Sequence, residues 1–232
     1  VPRPNTIILV RHGQSVGNVD KSVYEHTPDW QVPLTDKGYE QAMRAGDRVA
    51  KAMSDIRYEP SWLTHRDPAI FYTSPWLRAR QTCQTIRSHI SGLVSECRVL
   101  EDPRLREQEW GNYQDLPSLK RVWRERDKFG KFFYRMPDGE SGADVYDRVS
   151  TFLETLHRDF GKVDYPRNCI VVTHGLTMRV FLMRWFHWSV EEYDALRNPP
   201  NGGIVVMRKG GLESYYLETR LRKRALPYEK KG

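Results

Sequence analysis

The stretch Ile7-Ile8-Leu9-Val10-Arg11-His12-Gly13-Gln14-Ser15-Val16-Gly17-Asn18 decides how this chain is read. An unbroken, mostly β-branched apolar run is too short for a helix and lacks the polar alternation of a half-exposed strand, so it predicts a buried strand. It stops abruptly at an arginine, a histidine and a glycine, and a polar turn follows with Gln14, Ser15 and Asn18. Such a strand delivers reactive side chains to the rim of a sheet, where open α/β sheets place their ligands.

The same grammar recurs downstream. Cys169-Ile170-Val171-Val172-Thr173 is the clearest buried strand, and it ends at His174-Gly175. Between the two, Ala69 to Thr73 predicts a strand that stops at Ser74-Pro75, where proline suits the first turn of a helix carrying Arg78 and Arg80 and packing through Leu77, Cys83 and Ile86. Thr35 reads as the N-cap of a helix whose apolar positions include Ala42, Ala45, Val49 and Met53. Val99-Leu100 is a weak third strand leading to Glu107. Ser141 can cap a helix with its apolar face at Val145, Val149, Phe152, Leu153, Leu156 and Phe160. The segment from Leu176 to Phe186 predicts a buried helix, and Ser189 a short one through Leu196. Gly203 to Met207 with Ser214 to Thr219 read as a closing antiparallel pair. This alternation predicts an α/β fold: a three-layer αβα sandwich on a mainly parallel mixed sheet.

Three segments break the rhythm. Residues 54–68 read as a loop. Residues 112–137 are basic and aromatic without a core period, so they predict a cap inserted over the sheet edge with a helix near Leu119 to Lys128. Trp123, Phe129, Phe132 and Phe133 are expected to pack that cap, or to meet an anionic ligand bearing a ring or sugar. From Arg222 onward the chain reads as a solvated, frayed end. The whole, 1–232, is expected to form one domain with the cap at about 112–137.

Composition narrows the function. No apolar run approaches the roughly 18 residues of a membrane span. The three cysteines, Cys83, Cys97 and Cys169, are too few and too scattered for a disulfide framework or a CxxC metal site, which fits a reducing, cytoplasmic setting. Nothing in the first ten residues resembles a signal peptide, although the sequence begins at Val1 and not at methionine. The net charge of +7 suits either nucleic acid or a small phosphorylated substrate. Arginines beside histidine, glycine and glutamate at strand ends, and the lack of a nucleic-acid module, favour the small substrate. Composition leaves the oligomeric state open.

The pieces make chemical sense together. A neutral imidazole can attack phosphorus if its other nitrogen is held by an acceptor. A phosphate dianion repels that attack unless cations neutralise it, and Arg11 and Arg78 offer planar forks for the purpose. Expelling an alkoxide needs a proton, for which Glu107 and Glu109 both qualify by type. A two-histidine zinc site finds no third ligand and would set Arg11 beside the cation.

Arg11-His12-Gly13-Gln14-Ser15 with Asn18 resembles the RHG(E/Q)SxxN signature of the histidine phosphatase, or phosphoglycerate mutase-like, superfamily. Leu34-Thr35 through Gly38 to Gln41-Ala42 is similar to its LTxxGxxQA segment, and Ser74 through Arg78-Ala79 to Gln81-Thr82 to its SxLxRAxQT segment. Leu105-Arg106-Glu107 to Gly111, Gly139-Glu140-Ser141 and Val172-Thr173-His174-Gly175 resemble its LxExxxG, GES and VxHG segments. The resemblance implies that His12 is the nucleophile, that Glu107 is the proton donor, and that Arg11, Arg78 and His174 complete the phosphate pocket. It implies that Gln14, Ser15, Asn18 and Gly175 line that pocket, and that neither metal nor cofactor is needed. Arg106 before Glu107, where the family's mutases typically carry asparagine, resembles the phosphatases. Further segments, including Phe132 to Pro137 and Asp144 to Val149, resemble the broad-range acid phosphatase subgroup. The expected activity is therefore hydrolysis of small phosphate monoesters, with a mutase or a non-catalytic phosphate-binding module as alternatives.

Overall fold

The computed structural model describes residues 3–54, 68–111, 116–211 and 214–224. In chain order the elements are β1 (Thr6–Arg11), α1 (Val16–Val19), α2 (Asp36–Ser54), β2 (Ala69–Thr73), α3 (Leu77–His89), β3 (Cys97–Glu101), α4 (Leu116–Phe129), α5 (Gly142–Phe160), β4 (Asn168–Thr173), α6 (Gly175–Phe186), α7 (Val190–Ala195), β5 (Ile204–Lys209) and β6 (Tyr215–Leu217). Short 3-10 turns occupy Lys21–Glu25, Asp29–Gln31 and Pro103–Leu105.

The sheet has six strands in the order β3-β2-β4-β1-β5-β6. The first four are mutually parallel, β5 runs antiparallel to β1, and β6 antiparallel to β5. Side-chain alternation along the central strands divides the core. Ile7 and Leu9 join the α5 and α6 side with Val149, Phe152 and Leu156, whereas Ile8 and Val10 join the α2 and α3 side with Val49 and Ile86. Both faces of β1 are thus covered, which is why its sequence is apolar without alternation; burying each such side chain contributes about 1.5–3 kcal/mol. The predicted three-layer sandwich is the one observed.

Helix starts follow local chemistry. The Gly38 N–H donates to Thr35 Oγ1 at 3.1 Å, and Ser141 with Asp144, like Ser189 with Glu192, forms a reciprocal capping box. Pro75 departs from expectation. The Trp76 N–H donates to Ser74 Oγ at 3.3 Å, so Ser74 and Pro75 form the approach to the helix, and α3 begins at Leu77 with Trp76 as N-cap. β3 is an edge strand with Val99 and Leu100 substantially exposed, which explains its faint apolar signal.

The cap helix begins at Leu116, earlier than expected, and the cap's aromatics divide. Phe132 is buried in the core, while Trp123, Phe129 and Phe133 are exposed. Most of the 54–68 loop lies outside the described residues. Residues 222–224 are not frayed: Leu196 pairs with Lys223, the Arg197 N–H donates to the Arg222 carbonyl at 2.8 Å, and the Arg224 N–H to the Ala195 carbonyl at 2.6 Å. Those backbone bonds hold the strap against α7. Among the described residues no helix is long and apolar enough to cross a membrane.

Candidate active site

Adjacency of β1 and β4 brings the two histidines together. Arg11 lies opposite Thr173, the His12 N–H continues the ladder to the Thr173 carbonyl at 2.9 Å, and the imidazoles stand 5.0 Å apart between centroids. His12 Nδ1 lies 2.6 Å from the Gly13 carbonyl, which can only accept, so Nδ1 carries the proton and Nε2 keeps its lone pair. Burial, with the Arg78 and Arg11 charges, holds the His12 pKa well below the ordinary imidazole value. The ring is therefore neutral and correctly protonated for attack. Gly13 is needed at this corner because a Cβ there would lie 2.3 Å from the Gly38 carbonyl oxygen.

His174, the N-cap residue of α6, is fully buried. Its Nε2 lies 2.8 Å from Ser74 Oγ, which accepts from the Trp76 N–H; when the serine hydroxyl donates to Nε2, Nδ1 carries the ring proton. That Nδ1 has no partner. Burial, then Arg78, lowers the His174 pKa well below its ordinary value.

Arg11 donates to the Pro199 carbonyl at 2.6 Å and keeps its Nε buried without an acceptor. Arg78 stands over the Trp76 ring at 4.6 Å and donates from Nη1 to both the carbonyl and the carboxylate of Asp29, at 2.7 and 2.8 Å. The Glu107 carboxylate accepts from the Thr177 N–H at 3.2 Å and the Leu176 N–H at 3.3 Å, in the first turn of α6. Arg148 fixes the approach to it, donating to the Arg104, Arg106 and Glu107 carbonyls at 2.6, 2.9 and 3.0 Å while paired with Glu140 at 2.8 Å.

Arg11, His12, Asn18, Arg78 and Glu107 line one cavity of about 460 Å³. The other expected residues stand behind it. His174 lies against the His12 ring. The Gln14 side chain accepts from the Thr35 hydroxyl at 3.0 Å, and fully buried Ser15 donates its N–H to Asn18 Oδ1 at 3.0 Å with its own Oγ unpartnered. Gly175 opens α6, where a Cβ would approach Asn198 Cγ to 2.8 Å. Glu109 is turned to Arg106, at 2.9 Å.

Several contributors escaped the sequence reading. Asp29 lies in a polar stretch with no core pattern, yet it reaches Arg78. Asn201, read only as part of a turn, donates to the His12 and Gly13 carbonyls at 3.3 Å and to Asn18 Oδ1 at 3.0 Å. Arg126 of α4 and Arg224 of the strap also line the cavity. Only the two prolines before Asn201, Pro199 and Pro200, hinted at a rigid turn. Among the described residues no three histidine, cysteine or carboxylate side chains gather as a metal-ligand set.

Comparison with known proteins gives the family and the fold. The family model described as histidine phosphatase superfamily (branch 1) matches residues 7–212. The chain is 44% identical to phosphoglycerate mutase-like protein AT74 of Arabidopsis thaliana over 92% of its own length and 68% of that protein. It is 33% identical to broad-range acid phosphatase DET1 of Saccharomyces cerevisiae, covering 95% of this chain and 90% of the other. Among solved structures, a mycobacterial glucosyl-3-phosphoglycerate phosphatase in complex with VO3 has the same fold, at a TM-score of 0.67 and 24% identity over 94% of this chain and 99% of that one. With the model spanning most of the sequence, and the relatives sharing it nearly end to end, the chain belongs to the histidine phosphatase superfamily.

Proposed function

We propose that the protein is a phosphatase that hydrolyses small phosphate monoesters through a phosphohistidine on His12. The observation that carries this reading is the His12 tautomer: Nδ1–H is tied to the Gly13 carbonyl, so Nε2 holds its lone pair in a cavity shared with Arg11, Arg78 and Glu107.

Nε2 attacks phosphorus in line with the ester oxygen. The P–N bond forms, the P–O bond breaks, and protonated Glu107 delivers its proton to the departing oxygen. Arg11 and Arg78 hold the non-bridging oxygens and take up the charge that builds on them, with the His174 Nδ1–H as a further donor. Water then attacks phosphorus, Glu107 removes its proton, and the P–N bond breaks to release inorganic phosphate and neutral His12. The positive charge in this scheme comes from arginine, so no metal is required.

A mutase is the alternative in the same family, since relatives include mutase-like proteins. Arg106, where the notional mutase residue would stand, is held by Glu140 at 2.7 Å and Glu109 at 2.9 Å. Hydrolysis of 4-nitrophenyl phosphate in the presence of EDTA tests the phosphatase reading; no turnover by the intact protein would refute it. Interconversion of 3- and 2-phosphoglycerate, dependent on 2,3-bisphosphoglycerate and faster than phosphate release, would establish the mutase instead.

A further inference from the structure

Arg126 has a cation's position without a cation's partner. Its guanidinium stands over the Trp110 ring at 5.1 Å, and Trp110 meets Trp123 edge-on at 6.2 Å. The Arg126 Nε is sealed from solvent and has no hydrogen-bond acceptor. Among the described residues no carboxylate comes within ion-pair distance of it; the adjacent Asp127 is paired with Lys131 at 3.2 Å. An arginine that only braced the cap would be expected to find its anion in the protein, because a half-buried unpaired charge is unfavourable.

Its surroundings add positive charge. Burial, with Arg179 close by, lowers the Arg126 pKa, and Arg179 itself is held by Asn198 at 2.7 Å and stacked on Tyr193. Arg224 reaches the same cavity from the strap anchored on Ala195. Asp194 lies in the field of Arg179, Arg126 and Arg224, but its Oδ1 is buried without a hydrogen-bond partner, and it is in ion-pair contact with none of them. The cavity wall carries Arg11, Lys21, Arg78, Arg126 and Arg224 against Asp29, Glu107 and Asp127, a surplus of positive charge. Arg11 and Arg78 are accounted for by the phosphoryl group. Arg126 and Arg224 are not.

We propose that Arg126, seconded by Arg224, forms a second anion subsite, so that the preferred substrates are phosphate monoesters bearing another carboxylate or phosphate on a skeleton that lies against Trp110 and Trp123. This rests on the phosphatase reading and narrows it to a substrate class.

Two matched pairs test it: phenyl phosphate against 4-carboxyphenyl phosphate, and fructose 6-phosphate against fructose 1,6-bisphosphate. The wild type should favour the doubly anionic member of at least one pair by about tenfold in kcat/KM, as one charge-assisted bidentate contact provides. Arg126→Gln should erase most of that preference, and Arg126→Lys should keep part of it. A preference in the carboxylate pair alone assigns a carboxylate site, and one in the bisphosphate pair alone a phosphate site. Equal kcat/KM within both pairs, or a preference that survives Arg126→Gln, overturns the subsite while leaving the phosphatase reading intact. Calorimetric binding of the same four compounds to His12→Gln reads the subsite without turnover. There, equal affinities within each pair overturn it, and a preference lost in the His12→Gln/Arg126→Gln double variant supports it even if the intact protein hydrolyses nothing. Thermal unfolding of each variant checks that it is folded.

Discussion

The Asp29 carboxylate lies 2.8 Å from Nη1 of Arg78, so one arm of this guanidinium is already bonded within the cavity. A phosphate oxygen approaching Arg78 meets a carboxylate on the same donor. Asp29→Asn is expected to strengthen inhibition by inorganic phosphate by about three- to tenfold, the scale of one partly exposed charge pair. Burial raises the Asp29 pKa above its ordinary value despite Arg78, so the wild-type carboxylate is neutralised earlier than usual as pH falls. The gap between the two inhibition constants should therefore be widest near neutrality and close towards acid. Weaker phosphate binding by Asp29→Asn would instead make Asp29 the support that orients Arg78.

His12 must be neutral to attack, and burial with Arg78 and Arg11 lowers its pKa well below the ordinary value. The fall of kcat/KM on the acid side, where it arises from protonation of this ring, is expected below about pH 6.5, the unperturbed value. His12→Asn should lose more than about a thousandfold in kcat and form no phosphoenzyme after a denaturing quench at alkaline pH, where a phosphohistidine survives. An acid limb at or above the ordinary histidine value in the wild type would contradict the buried, neutral imidazole.

Glu107 is assigned the leaving-group proton, so its removal should matter most when the leaving group is poor. Glu107→Gln is expected to slow hydrolysis of an alkyl phosphate by about a hundredfold or more, and of 4-nitrophenyl phosphate by much less. Comparing the two substrates in steady state checks this. Equal losses on both would assign Glu107 to holding the turn before α6 in place of proton transfer.

Arg148 ties three carbonyls of residues 104–107 to Glu140, and both side chains of that ion pair are largely buried. Arg148→Met leaves the Glu140 carboxylate with Arg106 as its one remaining ion-pair partner among the described residues, beside the Glu109 N–H, and frees the segment carrying Glu107. A loss of about 3–5 kcal/mol of stability is expected from breaking a buried pair, read by urea unfolding. If Arg148 positions Glu107, kcat for an alkyl phosphate should fall more than kcat for 4-nitrophenyl phosphate, which a stability loss alone would not produce.

His12 and His174 are both buried and hold pKa values well below those of an unfolded chain. Below about pH 6.5 the unfolded chain binds protons that the folded one refuses, so stability present above that pH is lost as pH falls. Each histidine contributes a slope of up to about 1.4 kcal/mol per pH unit until its folded-state value is reached. Urea midpoints between pH 7.5 and 5 check this, and His174→Asn should flatten the slope. Inorganic phosphate should oppose it by binding the folded site.

What could be read in the sequence tracks what was local. β1 and β4 are covered on both faces, so their apolar runs are unbroken. Thr35, Ser141 and Ser189 announce helix starts because a cap bonds within three residues of itself. The half-exposed edge strand β3 gave little signal, and Ser74 Oγ moved the start of α3 past Pro75. Arg222 to Arg224 resembled a loose end because the partners that hold them, Ala195 and Arg197, lie far back in the chain.

The sequence by itself determined the α/β layering, the two strand ends that carry His12 and His174, and the residues from which a phosphate pocket could be assembled, since burial on both strand faces and the chemistry of strand ends are written into adjacent residues. Only the tertiary structure decided which proton His12 keeps, that Asp29 occupies Arg78, and that Arg126 and Arg224 enter the same cavity. Those outcomes depend on contacts between segments remote in sequence, where a polar side chain has no periodicity to betray its direction and its role is set by what the fold places opposite it.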